Sequence, residues 1–212
     1  MSDAGNDVQV LVEGYARLLP GGGWIASSTC ALITTPAGAR IVVDPGCNRP
    51  LLLARLAERR LAPDDVAVVF LTHHHLDHAL NAALFPRAVV VDAEAVQDGD
   101  RGAPVGRALP GTDIAIMPTP GHADGHASLV VPTRRGTVVV AGDVFWWAEG
   151  QEPTLDPAQT DPYAVDMARL RRSRRAVLAL ADWIVPGHGG GLYPVPAAAR
   201  RRPARSPGAG AG

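Results

Sequence analysis

A chain of 212 residues with 47% hydrophobic and 19% charged side chains is sized for one globular unit with a buried core, expected over residues 8–193. No apolar stretch reaches the roughly 18 residues that cross a bilayer, and the start MSDAGND carries no secretory pattern. Two cysteines make no disulfide framework and a formal charge of -1 gives no overall bias toward nucleic acid, so a cytoplasmic protein without a membrane partner is expected.

Residues 1–7 are expected to form a flexible N-terminus. Short strands follow at 8–12, 30–34 and 41–43, the last two joined through Pro36, Ala37 and Gly38 as a hairpin. Pro50 opens a helix to about residue 60, with Leu51, Leu52, Leu56 and Leu61 as its apolar stripe. The Val-rich run 66–71 suits a strand buried on both faces. Directly after it come His73, His74, His75, Leu76, Asp77 and His78, so four of the seven histidines fall in six positions. A second helix is expected near Asp77, turning Leu80, Ala83 and Leu84 inward, and then a strand at 89–91. Beyond a Gly- and Pro-rich connection at 99–111, a strand at 114–117 leads to His122 and His126 in PGHADGH. Strands at 127–131 and 137–141 pair through Arg134, Arg135 and Gly136, and the second ends at Gly142 and Asp143. Asp161 and Pro162 read as the N-cap and first residue of a helix to about residue 181. A strand at 183–185 delivers Gly187 and His188, and residues 194–212, without periodicity, are expected to be a disordered tail. Strands, a helix, more strands and a last helix suggest two halves, each a sheet covered by helices on its outer face.

All seven histidines therefore fall at loop tips, where metal sites are usually assembled. His73 and His75, two apart on extended chain, point to the same side and can chelate one ion. Asp77 and His78 come after the chain turns and can face a second ion, while His74 points elsewhere. A mixed imidazole and carboxylate set suits Zn(II), and also Fe(II) or Mn(II). A merely solvated loop leaves unexplained why a buried strand leads into it. Cys47, near the Asp44 turn, reads as a small buried thiol.

In its order of HxHxDH, a single His, Gly-Asp and a final Gly-His, the sequence resembles the metallo-β-lactamase fold superfamily, over residues 8–190. The resemblance implies an α/β protein, an αββα sandwich of two mixed sheets with helices on the outer faces. It implies one metal held by His73, His75 and His122, another by Asp77, His78 and His188, and Asp143 between them, with Asp77 and Asp143 as catalytic carboxylates. Two zinc ions per chain are the implied cofactor, and such a pair lowers the pKa of a shared water toward about 7, which makes a hydrolase. His126 is implied as a neighbour of the site, and Asp44 as the acid that steadies a ligating imidazole, although a simple turn before Pro45 explains Asp44 nearly as well. Leu80 stands where a Gly commonly precedes the residue at Asn81, a departure that bears on the local helix packing. The segments VEGYA, NAALFP, VVVAGDVF and RRSRRAVLALADWIVPGHG resemble a compact branch of the superfamily for which RNA phosphodiester cleavage has been proposed.

For the pocket wall, Trp146 and Trp147 follow Asp143 closely enough for one of them to overhang the metals, and 149–160 is a candidate lid. Arg169, Arg171, Arg172, Arg174 and Arg175, with Arg200, Arg201, Arg202 and Arg205, offer phosphate contacts, or else a solvated face offset by Asp156, Asp161 and Asp166. Expected partners are a small-molecule substrate or a short RNA, and a homodimer is an expected assembly. The same resemblance leaves open an iron persulfide dioxygenase using His73, His122 and Asp143, a thioester or lactone hydrolase of the glyoxalase II type, and a binding protein with an idle metal site. Against a true β-lactamase stands Asp143, where the commonest zinc subclass carries Cys.

Overall fold

The computed structural model describes residues 5–200. Its first half contains β1 (Asp7–Val12), β2 (Tyr15–Leu18), β3 (Trp24–Ser27), β4 (Cys30–Thr34), β5 (Arg40–Val43), α1 (Arg49–Glu58), β6 (Val68–Phe70), α2 (Leu76–Ala79), β7 (Val89–Val91), β8 (Ala95–Asp98) and β9 (Arg101–Pro104). The second contains β10 (Ala115–Pro118), β11 (Ala127–Thr133), β12 (Gly136–Gly142), α3 (Met167–Leu180), β13 (Trp183–Pro186) and β14 (Tyr193–Pro194). One sheet runs β1-β4-β5-β6-β7-β8-β9, the other β10 to β14 in sequence order, and β2 pairs only with β3.

Side-chain alternation along the strands builds the layers. On β4, Ala31 and Ile33 enter the space between the sheets while Cys30 and Leu32 face outward. β5 repeats this with Ile41 and Val43 against Val42, and β12 with Val138 and Val140 against Val139 and Ala141. The inward set meets Phe70, Leu129 and Val131 in one core between the sheets. Leu52 and Leu56 of α1 cover the outer face of the first sheet, and Leu170, Val177 and Leu178 of α3 that of the second. Each such leucine contributes about 1.5–3 kcal/mol by leaving water. The result is the αββα sandwich that the resemblance implied. Among the described residues no helix is long and apolar enough to cross a membrane.

Several expectations are corrected. The ordered unit begins earlier than residue 8: Asp7 starts β1, and Asn6 donates to Asp113 Oδ1 and to the Pro132 carbonyl, both at 2.9 Å. It also ends later than residue 193, because Pro194 pairs with Trp183, Val195 is buried and the Arg200 guanidinium donates to the Val195 carbonyl. The rest of the two expected terminal segments, residues 1–4 and 201–212 with Arg201, Arg202 and Arg205, lies outside the described residues. The β2–β3 and β8–β9 hairpins were not expected. Helix α3 starts at Met167 with Asp166 as its cap, not at Asp161. Helix α2 is a single turn, and Leu80 and Ala83 face outward, not into the core.

Strand direction positions the site. β5 and β6 run parallel, as do β12 and β13, and β10 shares their sense because it is antiparallel to β11, which is antiparallel to β12. The carboxyl ends of these strands gather at one rim of the sandwich.

Candidate metal centre

Four segments that follow β6, β10, β12 and β13, the first of them including α2, carry two groups of potential ligands: His73, His75, His122 and Asp143, and next to them Asp77, His78 and His188. His75 Nδ1 lies 2.9 Å from His73 Nε2 and 3.1 Å from His122 Nε2. His188 Nε2 lies 3.3 Å from both His78 Nε2 and Asp77 Oδ2. Asp143 stands between the groups, with Oδ2 3.2 Å from His122 Nε2 and Oδ1 3.3 Å from His78 Nε2.

The outward ring nitrogens fix which nitrogen faces the centre, by the partners they find. His122 Nδ1 donates to Asp161 Oδ2 at 2.8 Å. His188 Nδ1 faces two acceptors, the carbonyls of Tyr15 and Ser27, each at 3.1 Å. His78 Nδ1 donates to Asp44 Oδ2 at 2.9 Å, and the Thr72 hydroxyl donates to the same oxygen at 2.7 Å. With its hydrogen so used, Thr72 Oγ1 accepts from His73 Nδ1 at 3.0 Å. The Nε2 atoms of His73, His78, His122 and His188 are all thereby aimed inward.

These donors fit divalent cations. Tetrahedral zinc with metal–nitrogen bonds near 2.0–2.1 Å separates its ligand atoms by about 3.3 Å; the distances given above run from 2.9 to 3.3 Å, and His73 Nε2 stands farther from Asp143 Oδ2, at 4.0 Å. Asp143 Oδ1 is buried without a hydrogen-bond partner, a costly condition that a cation relieves.

Charges follow from the same contacts. Burial opposes ionisation of Asp143, yet His78, His188 and His122 hold its carboxyl well below the usual carboxylate range. Burial likewise opposes a charge on His78 and on His122, but Asp143, with Asp44 for the first and Asp161 for the second, holds both above the ordinary imidazole value. Burial dominates at His73 and His75 and lowers both. Asp77 is held low by His188 and His78 against the effect of burial.

Two glycines let the loops approach. A Cβ at Gly187 would run into Asp143 Oδ1, and Gly121, at φ 134°, has the Leu170 backbone of α3 where a side chain would go.

All seven residues expected as ligands from the sequence thus come together. His74 points away and meets Asp92 at 3.0 Å. Asp44 takes a left-handed backbone at φ 48°, which Asp tolerates better than most residues, and reaches His78. His126 stacks on His73 at 5.1 Å, its Nδ1 2.9 Å from Thr119 Oγ1, and its Nε2 is buried without a partner; burial pushes its pKa down to about 3. Of the two tryptophans, Trp146 lines the cavity over the centre, 6.2 Å from the His188 ring, whereas Trp147 is packed in the core against Tyr193. The segment 149–160 contributes Gln151, Gln159 and Thr160 to the cavity wall. It is tied down by Glu149 N to the Ala16 carbonyl and by Arg174 to the Gln159 carbonyl. Asp161 went unrecognised as a partner of His122 because Asp-Pro carries a strong helix-start pattern. Nothing local marks Thr72, or the carbonyls of Tyr15 and Ser27, as partners of imidazoles.

A family model described as Metallo-beta-lactamase superfamily matches residues 24–104. The chain is 38% identical over 192 residues to Metallo-beta-lactamase domain-containing protein 1 of Xenopus laevis, covering 87% of this chain and 80% of that protein. Its human namesake is 39% identical over 169 residues, covering 75% of this chain and 61% of that protein. A solved metallo-beta-lactamase family protein from Thermus thermophilus has the same fold with a TM-score of 0.61 at 22% identity, covering 92% of this chain and 76% of its own.

Proposed function

Since the chain belongs to the metallo-β-lactamase superfamily, we propose that it is a hydrolase in which His73, His75 and His122 hold one divalent cation, Asp77, His78 and His188 a second, and Asp143 faces both. The observation that carries this reading is the single buried carboxylate of Asp143, which presents one oxygen to each group. Bound together, two such cations supply Lewis acidity and bring the pKa of water toward about 7.

The protein's own residues prepare the site for that chemistry. Asp44, Asp161, Thr72 and two carbonyls hold four rings in the tautomer that points a lone pair inward, so little reorganisation is needed at the moment of reaction. Asp77 is half-buried on the open side and lines the cavity beside His75. Held ionised, it can carry a proton between water and a leaving group. Trp146 stands edge-on to the His188 ring and forms part of the cavity wall on that side.

Imidazole with carboxylate suits zinc first, with Fe(II) and Mn(II) as alternatives. A single iron held by His73, His122 and Asp143 leaves the complete second group of Asp77, His78 and His188 without a purpose. RNA phosphodiester cleavage, the reading drawn from the compact relatives, asks in addition for cations along the cavity wall. Protein purified without chelators is expected to carry two zinc ions per chain, one for each group, and to hydrolyse members of an ester, thioester and phosphodiester panel. His75→Ala should lose metal and turnover together. One iron per chain with oxygen uptake, or full turnover by that variant, overturns the proposal.

A further inference from the structure

Thr72 lies between the two groups of ligands and belongs to neither. Its backbone N–H donates to Asp44 Oδ1 at 2.8 Å, and its hydroxyl oxygen stands 2.7 Å from Asp44 Oδ2 and 3.0 Å from His73 Nδ1. Asp44 Oδ2 is in turn 2.9 Å from His78 Nδ1. An unbroken run of side chains therefore leads from His73 in the first group, through Thr72 and Asp44, to His78 in the second. All four residues are buried, none more than 1% exposed, so each must find its hydrogen-bond partners within the run. The Gly142 backbone packs against the Thr72 hydroxyl, where a Cβ would come within 2.6 Å of Oγ1.

Counting hydrogens gives this run a direction. A carboxylate offers only lone pairs, so Thr72 and His78 both give a hydrogen to Asp44. A hydroxyl has one hydrogen, so toward His73 the Thr72 oxygen can only accept. His73 accordingly carries its hydrogen on Nδ1 and turns the lone pair of Nε2 to the centre. Its tautomer is set by a carboxylate that it does not touch.

We infer that Asp44 sets the tautomer of one ring in each group, His78 directly and His73 through the Thr72 hydroxyl, so that a single carboxylate readies both cation sites. This rests on the two-cation reading of the centre, in which Nε2 of either ring is a ligand. Asp44 and Thr72 are positioning residues. Asp44→Asn, equal in shape, reverses the run. The Thr72 N–H still requires an oxygen at the place of Oδ1, so the amide nitrogen takes the place of Oδ2 and offers its hydrogens to Thr72 and His78. The Thr72 hydroxyl then donates to His73 Nδ1, and His73 moves its own hydrogen to Nε2, where a cation would bind.

The test uses the full chain and two readouts other than turnover. In metal-free protein, 15N NMR of the His73 ring is expected to show the hydrogen on Nδ1 in wild type and in Thr72→Ser, and on Nε2 in Asp44→Asn. Zinc affinity of the first group alone is measured in His188→Ala, which takes a ligand from the second group. In that background Asp44→Asn is expected to weaken zinc binding about 10- to 100-fold, although among the described residues no hydrogen bond joins Asp44 to His73, His75 or His122. Thr72→Val should cause a similar loss. Adding Asp44→Asn to Thr72→Val should then change the affinity by less than about twofold, because the link is already cut. A His73 hydrogen that stays on Nδ1 in Asp44→Asn, or an equal loss of zinc with and without the Thr72 hydroxyl, overturns the inference. So does a hydrogen on Nε2 in wild type, which decides the matter even if Asp44→Asn does not fold. Tautomers as expected in a wild type that binds only one zinc support control of both rings by Asp44 and sink the two-cation reading instead.

Discussion

Asp161 does for His122 what Asp44 does for His78: a buried carboxylate takes the outward N–H of a ring and turns the other nitrogen to the centre. Burial works against ionisation of Asp161, but the His122 ring, the Trp146 side chain and the Tyr163 N–H keep its pKa low, so the acceptor is a carboxylate. Asp161→Ala frees the ring to rotate and change tautomer, and is expected to weaken metal binding by about 10- to 100-fold with little change in fold. Zinc titration against a competing chelator measures it, and unaltered affinity would contradict the role. The two acids differed in legibility. Asp44 directly ends an early strand, where a turn residue and a ring partner can be the same residue. Asp161 lies 39 residues from His122, in a segment whose Asp-Pro pattern speaks for a helix start.

Helix α3 shows how one element couples the sheet to the site. Its real cap is Asp166, five residues after Asp161, whose side chain accepts from Ala168 N and Arg169 N at 2.8 and 2.9 Å. From the middle of the helix Arg174 reaches the carbonyls of Val144, next to Asp143, and Gln159, close to Asp161. Arg174→Met keeps the volume but strands those buried carbonyls and should cost about 1–3 kcal/mol of stability. The urea midpoint reads this out, and a midpoint equal to wild type would remove Arg174 as a tie. Other elements escaped sequence reading for plain reasons. β2 and β3 are half-exposed strands around Gly21, Gly22 and Gly23, and they mix apolar and polar residues without a core face. β8 and β9 flank Gly99 and Asp100, a two-residue hairpin turn that lies at the start of the longer Gly- and Pro-rich connection read from the sequence. Leu80 looked like a core residue on helical spacing, but α2 ends after one turn, which leaves Leu80 on the cavity wall.

At the scale of the whole molecule, loops from both sheets meet at the centre's rim, so cations there should tie the two halves together. Metal bound only by the folded protein raises stability by about 4 kcal/mol when present at 1,000 times its Kd, and zinc is expected to lift the thermal midpoint accordingly. The sign of its pH dependence follows from His78 and His122. Their pKa values are raised above the ordinary 6.5, so both keep protons at a pH where a free imidazole is neutral. A cation must displace those protons, so the zinc-dependent gain should shrink as pH falls through the raised values and toward 6.5 and below; a gain constant from pH 8 to 6 would refute the assignment. The sequence by itself determined which residues are candidate ligands and in what order they come, and through the family resemblance of that order it implied the αββα class. Apolar alternation, glycine turns and the HHHLDH cluster are local patterns that need no partner to be read. Only the tertiary structure decided that Asp161 and Thr72 orient rings and that Trp146 reaches the cavity while Trp147 stays in the core. Each of these depends on which distant loops meet at the rim, and strand direction, not local spacing, brings them there.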